Sequence, residues 1–177
     1  MVVRISEGVT SLEMSSSKSR VVYPGTFDPF TYGHEDIVEQ ASHIFDHITV
    51  AVAAQSTHKK TMFTLSERIE MITKIVRKYK NVDVVGFDGL LVRFMKESGF
   101  STVLRGLRVI SDFEYEFQMA SMNRKMDKGY TSLFLLPSDK NLFVSSTAVR
   151  EISAFGGNVD QFVDPCVADM LQLKTNC

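Results

Sequence analysis

The sequence predicts a single doubly wound α/β domain with a five-stranded parallel sheet. Strand-like and helix-like patterns alternate from Val21 onward, and such alternation is typical of a parallel sheet covered by helices on both faces. The apolar runs, such as residues 47–54, are short and rich in β-branched residues, as expected of buried parallel strands. A chain of 177 residues is long enough to bury the core of one such domain.

Periodicity places each element of this domain. We expect strands at residues 21–23, 47–54, 82–87, 101–104 and 131–136. We expect helices over the apolar pattern from Ile37 to Phe45 and at residues 65–79, 90–98, 111–126, 145–155 and 165–173. Capping boxes at Thr64–Glu67 and Ser111–Glu114 predict where two of these helices begin. Gly99 is expected to end a helix, and Pro165 suits the first position of one.

Residues 1–20 differ from the rest of the chain. They combine a weak apolar pattern with a polar, serine-rich run and lack the apolar centre of a signal peptide. We therefore interpret residues 1–20 as a flexible N-terminal extension and residues 21–177 as the folded domain.

Composition narrows the possible partners and the compartment. The formal net charge of −1 gives no case for nucleic-acid binding, and no apolar run approaches the roughly 20 residues that span a bilayer. Cys166 and Cys177 lack metal-ligand spacing and do not suggest a disulfide framework. We expect a cytoplasmic protein that binds neither nucleic acid nor membrane.

The segment VVYPGTFDPFTYGH, residues 21–34, is the most informative stretch of the chain. An apolar run enters a Pro-Gly turn, and Thr26, Asp28 and His34 follow before a helical pattern begins. This junction is where open α/β sheets bind nucleotides, because the amides and the dipole at a helix start favour phosphate. The same residues also fit ordinary turn chemistry, and a lone histidine at a helix start is often only a cap or a surface residue.

Cationic and hydroxyl side chains follow the other predicted strands. Ligands of such folds bind outside the carboxyl ends of the strands, where this chain places His58, Lys59, Lys60, Arg105, Arg108, Ser145, Ser146 and Thr147. An anionic, phosphate-bearing ligand explains this collection. Taken singly, Lys59 and Lys60 also fit a solvated loop, Ser145–Thr147 a simple helix cap, and Glu116 a solvated helix face.

Several motifs in order give a resemblance to a known family. The run T-x-D-P-x-x-x-G-H at residues 26–34 resembles the signature of the nucleotidyltransferase superfamily. Together with H-K-K (58–60), R-G-L-R (105–108), D-F-E-Y-E (112–116), M-N-R (122–124) and S-S-T-x-V-R (145–150), it resembles the phosphopantetheine adenylyltransferases over about residues 20–173. Two departures are Tyr32, where that family commonly has asparagine, and Val144, where it often has isoleucine.

The resemblance implies a Rossmann-like fold of the nucleotidyltransferase type with strand order 3-2-1-4-5. It implies adenylyl transfer from ATP to 4′-phosphopantetheine, giving dephospho-coenzyme A and pyrophosphate. The catalytic residues would be Thr26, His34, Lys59 and Arg108. Acceptor binding would fall to Thr26, Lys59, Leu91 and Arg105. ATP binding would fall to Thr26, Phe27, His34, Gly106, Leu107, Arg108, Glu116, Asn141, Leu142, Phe143, Val144, Ser145, Ser146 and Thr147.

Further expectations follow from the same resemblance. Mg²⁺ would be held mainly through ATP, with no protein metal cage, the chain would form a homohexamer, and coenzyme A would be a feedback inhibitor. Two alternatives stay open: a related nucleotidyltransferase that acts on nicotinate mononucleotide or a phospho-alcohol, and a non-catalytic nucleotide-binding module.

Overall fold

The computed structural model describes residues 19–54 and 60–175. The predicted extension therefore lies almost entirely outside the described residues, and so do His58, Lys59 and Cys177. The predictions that concern these residues stay predictions.

The described residues form a five-stranded parallel sheet with the order β3-β2-β1-β4-β5. The strands are β1 (Arg20–Gly25), β2 (His47–Ala53), β3 (Val82–Phe87), β4 (Thr102–Gly106) and β5 (Thr131–Leu135). Because β1 lies at the centre, its residue Val22 pairs with Thr49 on one side and with Val103 on the other. The α/β class predicted from the sequence is confirmed, and so is the strand order that the resemblance implied.

Helices connect the strands and cover both faces of the sheet. They are α1 (Tyr32–Ser42), α2 (Leu65–Val76), α3 (Leu91–Glu97), α4 (Ile110–Met126), α5 (Ser146–Ala154) and α6 (Pro165–Thr175), and a 3₁₀ turn at Asp139–Asn141 precedes α5. None of the helices in the described part of the chain is long and apolar enough to cross a membrane.

The core forms because alternate strand residues are buried on opposite faces. On one face, Val21 and Ile48 pack in a cluster with Ile37 of α1 and Ile72 of α2. On the other face, Val22 belongs to a cluster with Ala51, Val92, Met95 and Val103. Burial on both sides explains why the strand sequences read as continuous apolar runs, and it holds the carboxyl ends of β1 and β4 side by side.

The two predicted capping boxes have different outcomes. Thr64 and Glu67 cap the start of α2 reciprocally, as predicted. The prediction at Ser111 is wrong, because α4 begins one residue earlier, at Ile110, with Val109 as its N-cap. In the first turn of this helix, the carboxylate of Asp112 accepts hydrogen bonds from the amide and the Nε of Arg108. This contact joins the β4–α4 connection to the helix start.

Candidate active site

A cavity of about 510 Å³ opens at the carboxyl ends of β1 and β4. Nine of the predicted site residues line it, namely Thr26, Phe27, His34, Leu91, Arg105, Gly106, Arg108, Glu116 and Val144. They come from the ends of two neighbouring strands and the loops that follow them, the first turn of α1, helices α3 and α4, and the segment before α5. The structure thus brings together residues up to 118 positions apart in the chain, from Thr26 to Val144.

His34 is held as a neutral hydrogen-bond donor. The backbone amide of Thr31, which can only donate, lies 3.0 Å from Nδ1 of His34, so Nδ1 carries no proton and the neutral ring is protonated at Nε2. Burial, with a contribution from Arg108, lowers the pKa of His34 to about 3. The imidazole is therefore uncharged at physiological pH and has its Nε2–H available to a ligand in the cavity.

Phe27 supports this imidazole from a strained backbone position. Its φ is 51°, in the left-handed region that non-glycine residues seldom adopt. In this position the Phe27 ring contacts the His34 ring edge-on, with the ring centroids 5.1 Å apart. Gly25 makes room for the Phe27 ring, since a Cβ at position 25 would lie 2.6 Å from it.

Arg105 forms a two-pronged ion pair with Glu116 across the cavity. Its Nε and Nη2 donate to the two carboxylate oxygens at 2.7 and 2.5 Å, and its Nη1 donates to the carbonyl of Pro24 at 3.0 Å. Burial alone would lower the pKa of Arg105, but Glu116 outweighs that effect and raises it. Glu116 is therefore not the solvated helix residue that its position alone allowed.

Arg108 lies on the same rim and is held less completely. Its Nε donates to Asp112 at 3.1 Å and its Nη1 to the carbonyl of Val144 at 3.3 Å, while 37% of its side chain remains exposed. The guanidinium thus joins the start of α4 to the segment before α5. It keeps exposed surface from which a ligand phosphate can be contacted.

Asp28 and Arg68 are buried, and both form hydrogen bonds to the protein backbone. The carboxylate of Asp28 accepts from the amides of Met62 and Phe63, each at 2.9 Å. Arg68, fully buried, donates to the carbonyls of Thr26, Ala53, Ala54 and Phe63. Burial lowers the pKa of Arg68, and the nearby Asp28 charge opposes this shift. Together the two side chains fix the loop from Thr26 to Pro29 against the end of β2 and the start of α2.

The segment before α5 is already engaged in internal contacts. The Ser145 hydroxyl accepts from the amide of Ala148, and the Ser146 hydroxyl donates to the carbonyl of Pro29. The side chain of Asn141 donates to Asp36. Phe143 is 79% exposed, and the amide of Leu107 donates to Leu135. The cavity lining includes Val144 but not Leu107 or the other residues of 141–147, and the ATP contacts expected of all these residues stay predictions.

Some residues of the site were not found from the sequence. Thr31 stands three positions before His34, the spacing of a capping box in which histidine replaces the usual glutamate or glutamine, and this spacing was a usable signal. Asp112 and Asn123 lie in motifs that carry the resemblance, but no pattern indicated their contacts. Asp112 binds Arg108, and the buried Asn123 donates to Tyr130 at 3.1 Å at the cavity wall. Their place depends on how α4 packs.

The carboxylates near the cavity do not form a metal cage. Glu116 is occupied by Arg105 and Asp112 by Arg108. Among residues 19–54 and 60–175, no group of three or more histidine, cysteine, aspartate and glutamate side chains is arranged to hold a metal ion. The described residues therefore do not form a site for a protein-held Mg²⁺, and the expectation that Mg²⁺ is held through ATP stays a prediction.

The fold and the site together define a nucleotide-binding α/β protein of the nucleotidyltransferase class. The ligand cavity lies at the carboxyl ends of the central strands, beside a helix start that carries a neutral histidine donor. The cytidylyltransferase-like family profile matches residues 22–152, which is most of the chain. The chain belongs to the cytidylyltransferase-like family.

Solved structures with the same fold include proteins described as adenylyltransferases from two organisms. The nicotinic acid mononucleotide adenylyltransferase of Plasmodium falciparum, complexed with NaAD, is 17% identical with a TM-score of 0.69, over 90% of this chain and 96% of that one. A candidate nicotinate-nucleotide adenylyltransferase from Vibrio parahaemolyticus is 16% identical with a TM-score of 0.66, over 90% and 97%. At this level of identity the similarity establishes the fold.

Proposed function

We propose that this protein transfers the adenylyl group of ATP to 4′-phosphopantetheine, giving dephospho-coenzyme A and pyrophosphate. The observation that carries the proposal is the placement of His34, Arg105 and Arg108 around one cavity. Two cations and one neutral donor suit a reaction between two phosphate-bearing substrates. The R-G-L-R and D-F-E-Y-E segments, which supply both arginines and Glu116, support this acceptor in particular.

The proposed reaction needs positioning more than proton transfer. An oxygen of the acceptor phosphate, already anionic near neutral pH, attacks the α-phosphorus of ATP. A new P–O bond forms as the bond from the α-phosphorus to the α,β-bridging oxygen breaks, and the bonding electrons leave with pyrophosphate. No general base is required. The protein's contribution is to align two anions and to stabilise the charge that develops between them.

Each residue has a distinct role in this scheme. The Nε2–H of His34, with the Thr26 hydroxyl, donates to the α-phosphate oxygens as their charge increases. Arg108 and the free amides in the first turn of α5 hold the departing phosphates. Arg105 takes the acceptor phosphate. Lys59, which lies outside the described residues, is proposed as a second cation for this phosphate on the resemblance alone.

An apolar wall beside Arg105 suits the pantetheine arm. Phe87, Leu90, Leu91 and Met119 line the cavity on the side of α3 and α4. A flexible chain of methylene and amide groups can lie along such a wall while its phosphate reaches Arg105. A second candidate acceptor, nicotinate mononucleotide, is favoured by the fold relatives that act on it. It carries a charged ring, which an apolar wall would accommodate less well.

An acceptor panel tests the proposal. The full-length chain is incubated with ATP and Mg²⁺, and pyrophosphate release is measured with 4′-phosphopantetheine, nicotinate mononucleotide, unphosphorylated pantetheine or no acceptor. We expect release with 4′-phosphopantetheine alone. Release with nicotinate mononucleotide instead would show that this compound is the acceptor and that the proposed one is wrong. No release with any acceptor would support a non-catalytic nucleotide-binding module.

Three further proposals accompany this function. ATP is used as its Mg²⁺ complex, and the enzyme works in the cytoplasm as a homohexamer. Coenzyme A inhibits by binding in the cavity that the product dephospho-coenzyme A also occupies. The resemblance supports the Mg²⁺ complex, the inhibition and the hexamer, and the spacing of Cys166 and Cys177 favours the cytoplasm. Self-association gains support from α4, where Phe113 and Phe117 are 47% and 58% exposed although their rings stack on each other at 5.8 Å.

A further inference from the structure

We propose that Glu116 makes the acceptor site selective for phosphate, because an incoming acceptor group must take the place of its carboxylate on Arg105. This inference rests on the proposed function and adds a specificity-determining residue to it. Glu116 competes with the acceptor for Arg105 rather than serving only as a wall of the cavity.

The geometry leaves little of Arg105 free. Its Nε and Nη2 face both oxygens of Glu116, and its Nη1 faces the carbonyl of Pro24. The side chains are only 24% and 16% exposed. An anion that uses the two-pronged Nε and Nη2 edge therefore has to displace the carboxylate, since both sets of oxygens would occupy the same positions.

Charge decides which anions succeed in this displacement. The Arg105–Glu116 pair is neutral as a unit, so it offers little attraction to an uncharged hydroxyl or to a single carboxylate that merely replaces another. A phosphate monoester near neutral pH carries more negative charge than a carboxylate and presents three acceptor oxygens. It can exchange for Glu116 with a net gain. An acceptor without its phosphate cannot.

The displaced carboxylate also has a use in the same cavity. Glu116 lines the space beside Gly106 and Arg108, where the resemblance places ATP. Exchange at Arg105 would free two acceptor oxygens toward the nucleotide as the second substrate binds. One side chain would then connect the occupancy of the two halves of the site.

Calorimetric titrations test the exchange. Inorganic phosphate, 4′-phosphopantetheine and pantetheine are titrated separately, without ATP, into the full-length chain and into Glu116→Gln. The variant keeps the shape of the side chain but removes the charge that holds Arg105. We expect inorganic phosphate and 4′-phosphopantetheine to bind roughly five- to tenfold more tightly to the variant, and pantetheine to bind equally to both.

Glu114→Gln is the matched control. Glu114 is exposed and lies two residues away on α4, so its substitution makes the same change in net charge without touching Arg105. Equal tightening by both variants would overturn the proposal, because a general field effect would then explain it. Unchanged or weaker phosphate binding by Glu116→Gln would overturn it as well.

A second measurement does not depend on the variant being folded. In a crystal structure of the wild-type chain with inorganic phosphate at Arg105, we expect Arg105 and Glu116 to be more than about 4 Å apart, beyond ion-pair distance. An intact pair with phosphate bound to Arg105 would overturn the exchange. If inorganic phosphate shows the predicted behaviour but 4′-phosphopantetheine is not adenylylated, the acceptor assignment fails while the exchange stands.

Discussion

His34 shows how neighbours assign a chemical role to a single side chain. The amide of Thr31 fixes the tautomer, and burial keeps the ring neutral by lowering its pKa to about 3. A ring with that pKa is a poor proton shuttle near pH 7, because its protonated form is almost unpopulated. It is a good fixed donor. The structure therefore favours stabilisation of a phosphate oxygen over acid–base catalysis.

Replacing His34 by alanine should mainly slow turnover. We expect His34→Ala to lower kcat about 10²–10³-fold, the usual effect of losing one transition-state donor, with a small change in the KM for ATP. In the wild type, kcat should show no ionisation of His34 between pH 5 and 8. Steady-state kinetics across that range measure both. Near-wild-type turnover of a folded His34→Ala protein would contradict the donor role.

At the scale of residues, the sequence predicted which side chains lie at the site better than it predicted which of them pair with each other. His34, Arg105 and Arg108 were identified because cations and a histidine followed strand ends in the right order. The pairing of Arg105 with Glu116 was not predicted, since it depends on the rotation of α4 over the strand. Eleven positions separate the two residues, and no periodicity in the chain specifies that they meet.

At the scale of elements, Asp36 of α1 anchors the segment that leads to α5. Its Oδ2 accepts from the amide and the hydroxyl of Ser138 at 2.7 and 2.5 Å and from Asn141 at 3.1 Å. Partial burial raises the pKa of Asp36, but hydrogen bonds from Ser138, Asn141 and Gln40 outweigh it and hold the pKa below its usual value. A charged carboxylate thus connects two elements about 100 residues apart.

Neutralising Asp36 should loosen this connection in a pH-dependent way. Asp36→Asn replaces a carboxylate that accepts several hydrogen bonds. It should lower the free energy of unfolding by about 1–2 kcal/mol at pH 7. Because the folded pKa is depressed, the wild-type advantage is complete above the unfolded pKa of about 3.9. It should disappear as the pH falls through the folded pKa. Urea denaturation of both proteins at pH 7 and at lower pH checks this, and an advantage independent of pH would contradict it.

The elements themselves were largely predictable, and the errors have physical causes. Strands and helices follow from hydrophobic period, and the ends at Gly99 and Pro165 from local conformational preference. The start of α4 was predicted one residue too late at Ser111, since the helix begins at Ile110 after the extended residue Val109. The 3₁₀ turn at Asp139–Asn141 was not predicted, because a long-range contact with Asp36 holds it.

At the scale of the whole molecule, helix α4 exposes several large apolar side chains. Besides Phe113 and Phe117, it exposes Ile110, Met122 and Met126, so apolar residues do not fall on a single buried side. Its first half carries Asp112 and Glu114, and its second half carries Arg124 and Lys125. Two copies packed antiparallel along α4 would match opposite charges around an aromatic centre, which supports self-association.

A charge at the centre of this surface should reduce assembly. We expect Phe117→Glu to shift the proposed oligomer toward smaller species, because two copies would place like charges in contact. Phe155→Glu is the control, since Phe155 is 86% exposed and lies at the end of α5. Sedimentation velocity of both variants measures the effect. A wild-type mass for Phe117→Glu, or an equal loss in both variants, would show that α4 is not the interface.

The central position of β1 has a consequence for synthesis on the ribosome. The nascent chain can pair β1 with β2, and β2 with β3, early, but the other edge of β1 receives β4 only after Thr102 to Gly106 have emerged. Until then the apolar face around Val22 lacks its partner Val103, and unpaired edges of this kind are prone to aggregate. Because β4 also carries Arg105, the strand that closes this edge brings this arginine to the cavity, and Glu116 and Val144 join it later. A nascent chain therefore covers this edge of β1 at the stage when it acquires the first arginine of its candidate site.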